Sequence, residues 1–312
     1  MVNRRLLRTK ILRALYGHLS NSNPKAEKSL ALYSRSVKEC YLLHLFILQL
    51  LVEVKNYAIE RQTIAASKFH ATFDDLNPKK RFVQNPIIKN IENNEELQDR
   101  LANSGISWGN HQEVIREIYN QIIESDRYKS YQDGTGSERD FILYILKNLI
   151  EDNHVVEQAL EDMSILWVDD LGYALGESIF VVEKHLEKGV IEQFKYPDDK
   201  EYGESLLMHA ISRSNIYLNF LEEHCEKWEM ERIAFMDKVL FVLATSELVS
   251  CENIPVKVTL NEYIEISKYY STPSSYNFLN GMLHKAIDSY TEQGKIQKSG
   301  MGLLDHKVTS KN

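Results

Sequence analysis

The chain has 312 residues, 43% of them hydrophobic and 26% charged, the balance of an ordinary globular protein rather than a fibrous or disordered one. A formal charge of −8 excludes a protein that coats nucleic acid indiscriminately, although it leaves room for a local basic site. Cys40, Cys225 and Cys251 are widely spaced with no C-x-x-C, which excludes a disulfide framework or a cysteine-built zinc site and suits a reducing compartment.

The length fits one large domain or two, and 13 Gly with 6 Pro leave long helices unbroken. Residues 3–19 carry Arg4, Arg5, Arg8, Lys10 and Arg13, with no acid before Glu27. Leu7, Ile11, Ala14, Leu15 and Leu19 form the apolar face of a helix there. Arg4 and Arg8 continue the line of Ile11 and Leu15, so the first turn is expected to project beyond the core and offer its arginines to solvent or a ligand. No secretory signal is read here, and the most apolar run, Tyr41 to Val54, is too short and too polar to span a bilayer. A cytoplasmic protein without a membrane partner is expected.

From Lys25 to about Ser67 the sequence reads as one long helix or two. Residues 71–93, with two prolines and several Asn and Asp, read as an extended loop. Helices are expected near 94–103, 110–130, 138–152, 154–164 and 169–187, with a turn at Tyr131–Ser137 and a break over 189–203. A helix from Glu204 to about Cys225 follows. Another, from Glu229 to Ser250, is apolar nearly all round and belongs at the centre of a bundle.

Beyond Pro255, Thr259 and Glu262 have the T-x-x-E spacing of a capping box. Ser271-Thr272-Pro273 ends that helix, and Ser274 or Ser275 caps the next, with Leu279, Met282, Leu283, Ala286, Ile287 and Tyr290 on its apolar face. The residues from Gly294 read as a polar tail.

This last stretch carries a resemblance. Pro255-Val256-Lys257-Val258, Asn261-Glu262, Glu265-Ile266-Ser267-Lys268 and Phe278-Leu279-Asn280-Gly281 match the P-x-K-V…N-E…E-[LI]-[AS]-K…F-[VL]-N-G pattern of the NusB family of transcription antitermination factors in order and spacing. Ala14-Leu15-Tyr16 matches the A-L-Y that follows the family's arginine-rich N-terminus. The resemblance implies an all-α fold: a NusB-like bundle from residues 1–20 and 200–291, an additional helical region over 21–199, and a flexible tail over 292–312.

The same resemblance implies binding of a boxA-like single strand of RNA together with the small-subunit ribosomal protein NusE, and, through that complex, a link to RNA polymerase. Arg4, Arg5, Arg8 and Tyr16 match the arginine-rich helix; Lys257, Phe278, Asn280 and Gly281 match positions at the RNA groove; Asp237 matches the acidic position that faces NusE. Phe278 is expected to be partly exposed near the basic end of the first helix. Ser274 stands where some relatives carry an acid.

No nucleotide-binding glycine loop, zinc-protease motif or nucleophile elbow is present. Glu151-x-x-His154 is half of a di-iron pattern, and no other histidine has glutamate three positions before it; a surface pair accounts for it better. An enzyme, a cofactor or a metal is not expected. The alternative to RNA binding is a helical protein-interaction module that keeps the fold and uses its middle region to bind another protein.

Overall fold

The structure, a computed structural model, describes residues 2–184, 192–225 and 233–307. The fold is all-α; among the described residues the extended pairing is limited to one parallel bridge between Val2 and Phe194. The chain divides into two compact units, one formed by Lys38–Gln193 and the other by Val2–Val37 with the residues from Phe194 onward. The division therefore falls at residue 37 rather than 20, inside a continuous helix.

The unit of residues 38–193 is built on most of α2 (Ala26–Ala66), one helix of 41 residues. Its apolar run from Leu42 to Val52 is buried almost all round. Around it stand α3 (Phe73–Leu76), α4 (Pro86–Glu92), α5 (Glu95–Ala102), α6 (Gln112–Glu124), α7 (Asp126–Gln132), α8 (Glu138–Ile145), α9 (His154–Met163) and α10 (Leu171–Lys184). A π turn, Leu146–Ile150, follows α8 directly. Trp108 and Trp167 reach across to α2, their indole N–H groups donating to the carbonyls of Phe46 and Glu39 at 2.9 Å each.

The loop expected over 71–93 contains two helices instead. Pro86 is the first residue of α4, where its missing N–H costs nothing, and the Asn85 side chain accepts from Ile87 N at 2.9 Å. Asn94 caps α5 and Asn153 caps α9 in the same way.

The second unit contains α1 (Arg4–Leu19), α11 (Asp199–His224), α12 (Phe235–Ser250), α13 (Val256–Tyr270) and α14 (Ser275–Glu292). Every residue of α12 from Val239 to Leu248 is buried, and α1, α11, α13 and α14 all pack against it. The first residues expected for this helix, 229–232, lie outside the described residues.

Beyond α14 the chain is held in place rather than trailing as a tail. Lys298 Nζ donates to the Cys251 carbonyl at 2.8 Å, and Ser299 N donates to that of Glu252 at 3.1 Å. A Cβ on Gly302 would stand 2.0 Å from the Glu252 oxygen, so only glycine permits this approach. Short 3-10 turns then occupy Gly300–Lys307.

Candidate nucleic-acid interface

Helix α1 begins with Asn3 as its cap, the side chain accepting from Leu6 N at 3.0 Å. Its first turn does not project. Val2, Leu6, Leu7 and Arg8 are all buried, and Lys195 N donates to Val2 O at 3.0 Å. The expectation fails because the acids that draw the arginines inward come from α11, α12 and α13, far away in sequence.

Glu247, a fully buried carboxylate on α12, is the focus. Arg8 donates to it through Nε and Nη2, both at 2.8 Å. Tyr202 of α11 donates at 2.7 Å, and Thr259 and Tyr263 of α13 at 2.8 and 3.0 Å. Four helices thus meet on one carboxylate with its lone pairs filled, the condition under which a buried charge is tolerated. Burial alone would push the Glu247 carboxyl up, but Arg8 and these hydrogen bonds hold it below the usual glutamate range. Burial, with the Glu247 charge beside them, raises both tyrosine hydroxyls well above their ordinary value.

Thr259 therefore spends its hydroxyl on Glu247 rather than on a cap, and α13 starts four residues earlier, directly after Pro255. Glu262, the expected capping partner, receives Arg5 at 2.8 and 2.9 Å and lies 3.5 Å from Arg8. Arg4 bridges Asp198 at 2.7 Å and Asp199 at 3.0 Å at the start of α11, and stacks over the Tyr202 ring at 4.9 Å.

Of the three arginines, only Arg5 keeps most of its side chain in solvent, 61% against 28% for Arg4 and 4% for Arg8. All three line a cleft of about 920 Å³, with Lys195, Asp198 and Glu262 and an apolar wall that includes Ile254, Pro255, Val258 and Leu304. Lys257 is exposed on the first turn of α13.

The aromatic residues gather elsewhere. Tyr16 meets Phe235 edge-on at 5.0 Å at the start of α12. Phe278, half-buried, lines a smaller cavity with Ile233, Ala234, Asp237, Thr272, Ser274 and Ser275. Asp237 and Glu247 are ten residues apart on α12, about 15 Å along the axis. Phe278 is partly exposed as expected, but it stands at the opposite end of the bundle from Arg4 and Arg8. Asn280 is half-buried and Gly281 exposed, one turn further along α14.

Asp237 does not face outward. It is buried, and its two carboxylate oxygens accept from Ser271 at 2.5 Å and Ser275 at 2.8 Å, fastening the end of α13 and the start of α14 to α12. Asp237→Ala is expected to lower stability by about 2 kcal/mol, the cost of leaving such hydroxyls without an acceptor; Asp237→Asn should lose less. Thermal unfolding of the two variants checks this.

The sequence reading gives Glu247 and Tyr202 no role at a site and takes the Asp198–Asp199 pair as capping or solvated. One signal was present: Asp237 and Glu247 interrupt an otherwise apolar helix, and acids at such positions are buried only when paired.

Fold and site together define an all-helical bundle protein whose buried polar network ties a basic N-terminal helix to the C-terminal helices. The NusB family model matches residues 181–288. A transcription antitermination protein NusB from Salinibacter ruber (strain DSM 13855 / M31) is 36% identical over 108 residues, 35% of this chain and 68% of that protein. The protein of the same name from Alkaliphilus oremlandii (strain OhILAs) is 36% identical over 107 residues, 34% of this chain and 75% of the relative. One from Chloroherpeton thalassium (strain ATCC 35110 / GB-78) is 40% identical over 85 residues, 27% of this chain and 40% of its own length. No solved structure matches. The chain belongs to the NusB family, and the family match includes Glu247, Thr259, Glu262 and Tyr263 but not α1.

Proposed function

We propose that this chain acts in transcription antitermination by holding a boxA-like single strand of RNA together with the small-subunit ribosomal protein NusE in the cytoplasm, and presenting it to RNA polymerase. The observation that carries the reading is the cleft beside α1, where Arg4, Arg5, Arg8 and Lys195 stand next to an apolar wall in a chain of net charge −8. Single strands ask for this combination, cations for phosphates and apolar surface for bases.

The arginines divide the work. Arg5 sits in an exposed pair with Glu262, and such pairs contribute about 0–1 kcal/mol, so its guanidinium exchanges readily to a phosphate. Arg8 is fixed by Glu247 and shapes the site without leaving it. Tyr16, Phe278, Asn280 and Gly281, at the other end of the bundle, supply a stacking surface that a longer strand would reach.

Fluorescence anisotropy with labelled single-stranded boxA RNA, across a salt series and with or without NusE, tests the proposal. Arg5→Ala and Lys257→Ala should each weaken binding and flatten the log–log salt slope by about 0.7 while leaving thermal stability nearly unchanged. Phe278→Ala should cost about 1–3 kcal/mol of binding, one base–aromatic stack. Equal affinity in wild type and the Arg5→Ala/Lys257→Ala double variant, at low salt with NusE present, would move the function to the protein-interaction alternative.

A further inference from the structure

The end of α2 and the segment after it carry apolar side chains that their own unit leaves uncovered. No residue from 59 to 77 is buried. Phe69 is 95% exposed, Phe73 79% and Leu76 60%, with Ile59 and Ile64 each more than two-fifths exposed.

The segment is nonetheless a built element. Thr72 and Asp75 form a reciprocal capping box, Asp75 N donating to Thr72 Oγ1 at 3.1 Å and Thr72 N to Asp75 Oδ2 at 3.0 Å. Lys68 pairs with Asp75 at 3.4 Å, and the Gln62 amide reaches the Lys79 carbonyl at 3.4 Å, tying the return of the chain to α2. Within α3, Phe73 and Leu76 stand three residues apart, on one helical face.

With about 200 Å² for a fully exposed phenylalanine, these five side chains together expose on the order of 500 Å² of apolar surface. Two such patches reach the roughly 1,000 Å² at which a specific interface begins, before any polar rim is added. The rim carries both signs. Asp74 and Lys80 are exposed, and neither has an ion-pair partner among the described residues. A patch with one such acid and one such base is complementary to its own copy under a two-fold axis.

We propose that this element is a homodimer contact: the apolar face of Phe69, Phe73 and Leu76 packs on the same face of a second copy, and Asp74 of each protomer pairs with Lys80 of the partner subunit.

Sedimentation velocity and light scattering on the full chain, from about 1 to several hundred micromolar, test it. The wild type should pass from one chain mass to two with increasing concentration and stop there. Phe69→Ser/Phe73→Ser/Leu76→Ser should stay at one chain mass throughout with a nearly unchanged melting temperature, since these side chains are mostly exposed in their own chain. Asp74→Lys should raise the dimer dissociation constant at least tenfold, and adding Lys80→Asp should restore it. A wild type of one chain mass at every concentration, a mass that climbs without stopping at two, a triple serine variant that still dimerises, or charge reversal without rescue would each overturn the proposal.

Discussion

Arg8→Ala should destabilise the second unit by about 3–5 kcal/mol, the usual consequence of leaving one partner of a buried ion pair without the other. Arg8 is the principal cation on Glu247, and both groups are withdrawn from water. Arg8→Lys should recover little of this, because one ammonium cannot reproduce two parallel N–H donors. Glu247→Gln should cost a similar amount by leaving the guanidinium only its longer contact to Glu262, at 3.5 Å. Urea denaturation measures the loss, and hydrogen exchange at the α12 amides assigns it to this unit.

Many buried ion pairs can be exchanged for apolar residues at no cost, but this one should resist. Tyr202, Thr259 and Tyr263 all donate to the same carboxylate, so Arg8→Met/Glu247→Leu leaves three hydroxyls without their acceptor, at about 1–3 kcal/mol each. The pH dependence has a definite sign. Glu247 is held below its ordinary value of 4.5 in the folded state, so its contribution is present above that value and is lost as the pH falls through the depressed folded-state range. Glu247→Gln should therefore flatten the acid limb of stability against pH, relative to wild type.

Gly203→Ala should destabilise by about 1–2 kcal/mol, against the sign expected of its position. Gly203 lies inside α11, where alanine is ordinarily favoured by about 1 kcal/mol. Here an added Cβ would stand 1.7 Å from the Tyr33 hydroxyl and 2.7 Å from the ring carbon that bears it. The Tyr33 ring is buried, so the clash must be relieved by moving packed elements, and overpacking of this kind costs roughly 1–3 kcal/mol. The Tyr33 hydroxyl has no hydrogen-bond partner among the described residues, and burial raises its pKa. Tyr33→Phe alone should thus be neutral or stabilising, and it should restore part of the loss when combined with Gly203→Ala. Thermal melts of the three variants decide it; an unchanged Gly203→Ala would show that the ring moves freely.

The amino-acid sequence by itself determined that the chain is helical, that α12 lies at a centre, and which family its last third resembles. These are readings of periodicity, of breakers such as Pro255 and Pro273, and of short-range spacing, all set by residues within a turn or two of one another. It did not determine what the charged residues do. Arg4, Arg5 and Arg8 look like a solvated basic end until α11, α12 and α13 bring Asp199, Glu247 and Glu262 to them across roughly two hundred residues or more of chain. Asp237 likewise has the look of an outward-facing partner residue until the turn between α13 and α14 delivers Ser271 and Ser275 to it. Even Thr259, whose T-x-x-E spacing is a sound local signal, is redirected to Glu247 because satisfying a buried carboxylate is worth more than one more bond at an exposed helix start. Local propensity decides where helices form. Only the packed tertiary structure decides which buried charge must be neutralised, because the desolvation penalty that forces the pairing does not exist until the helices have closed around it.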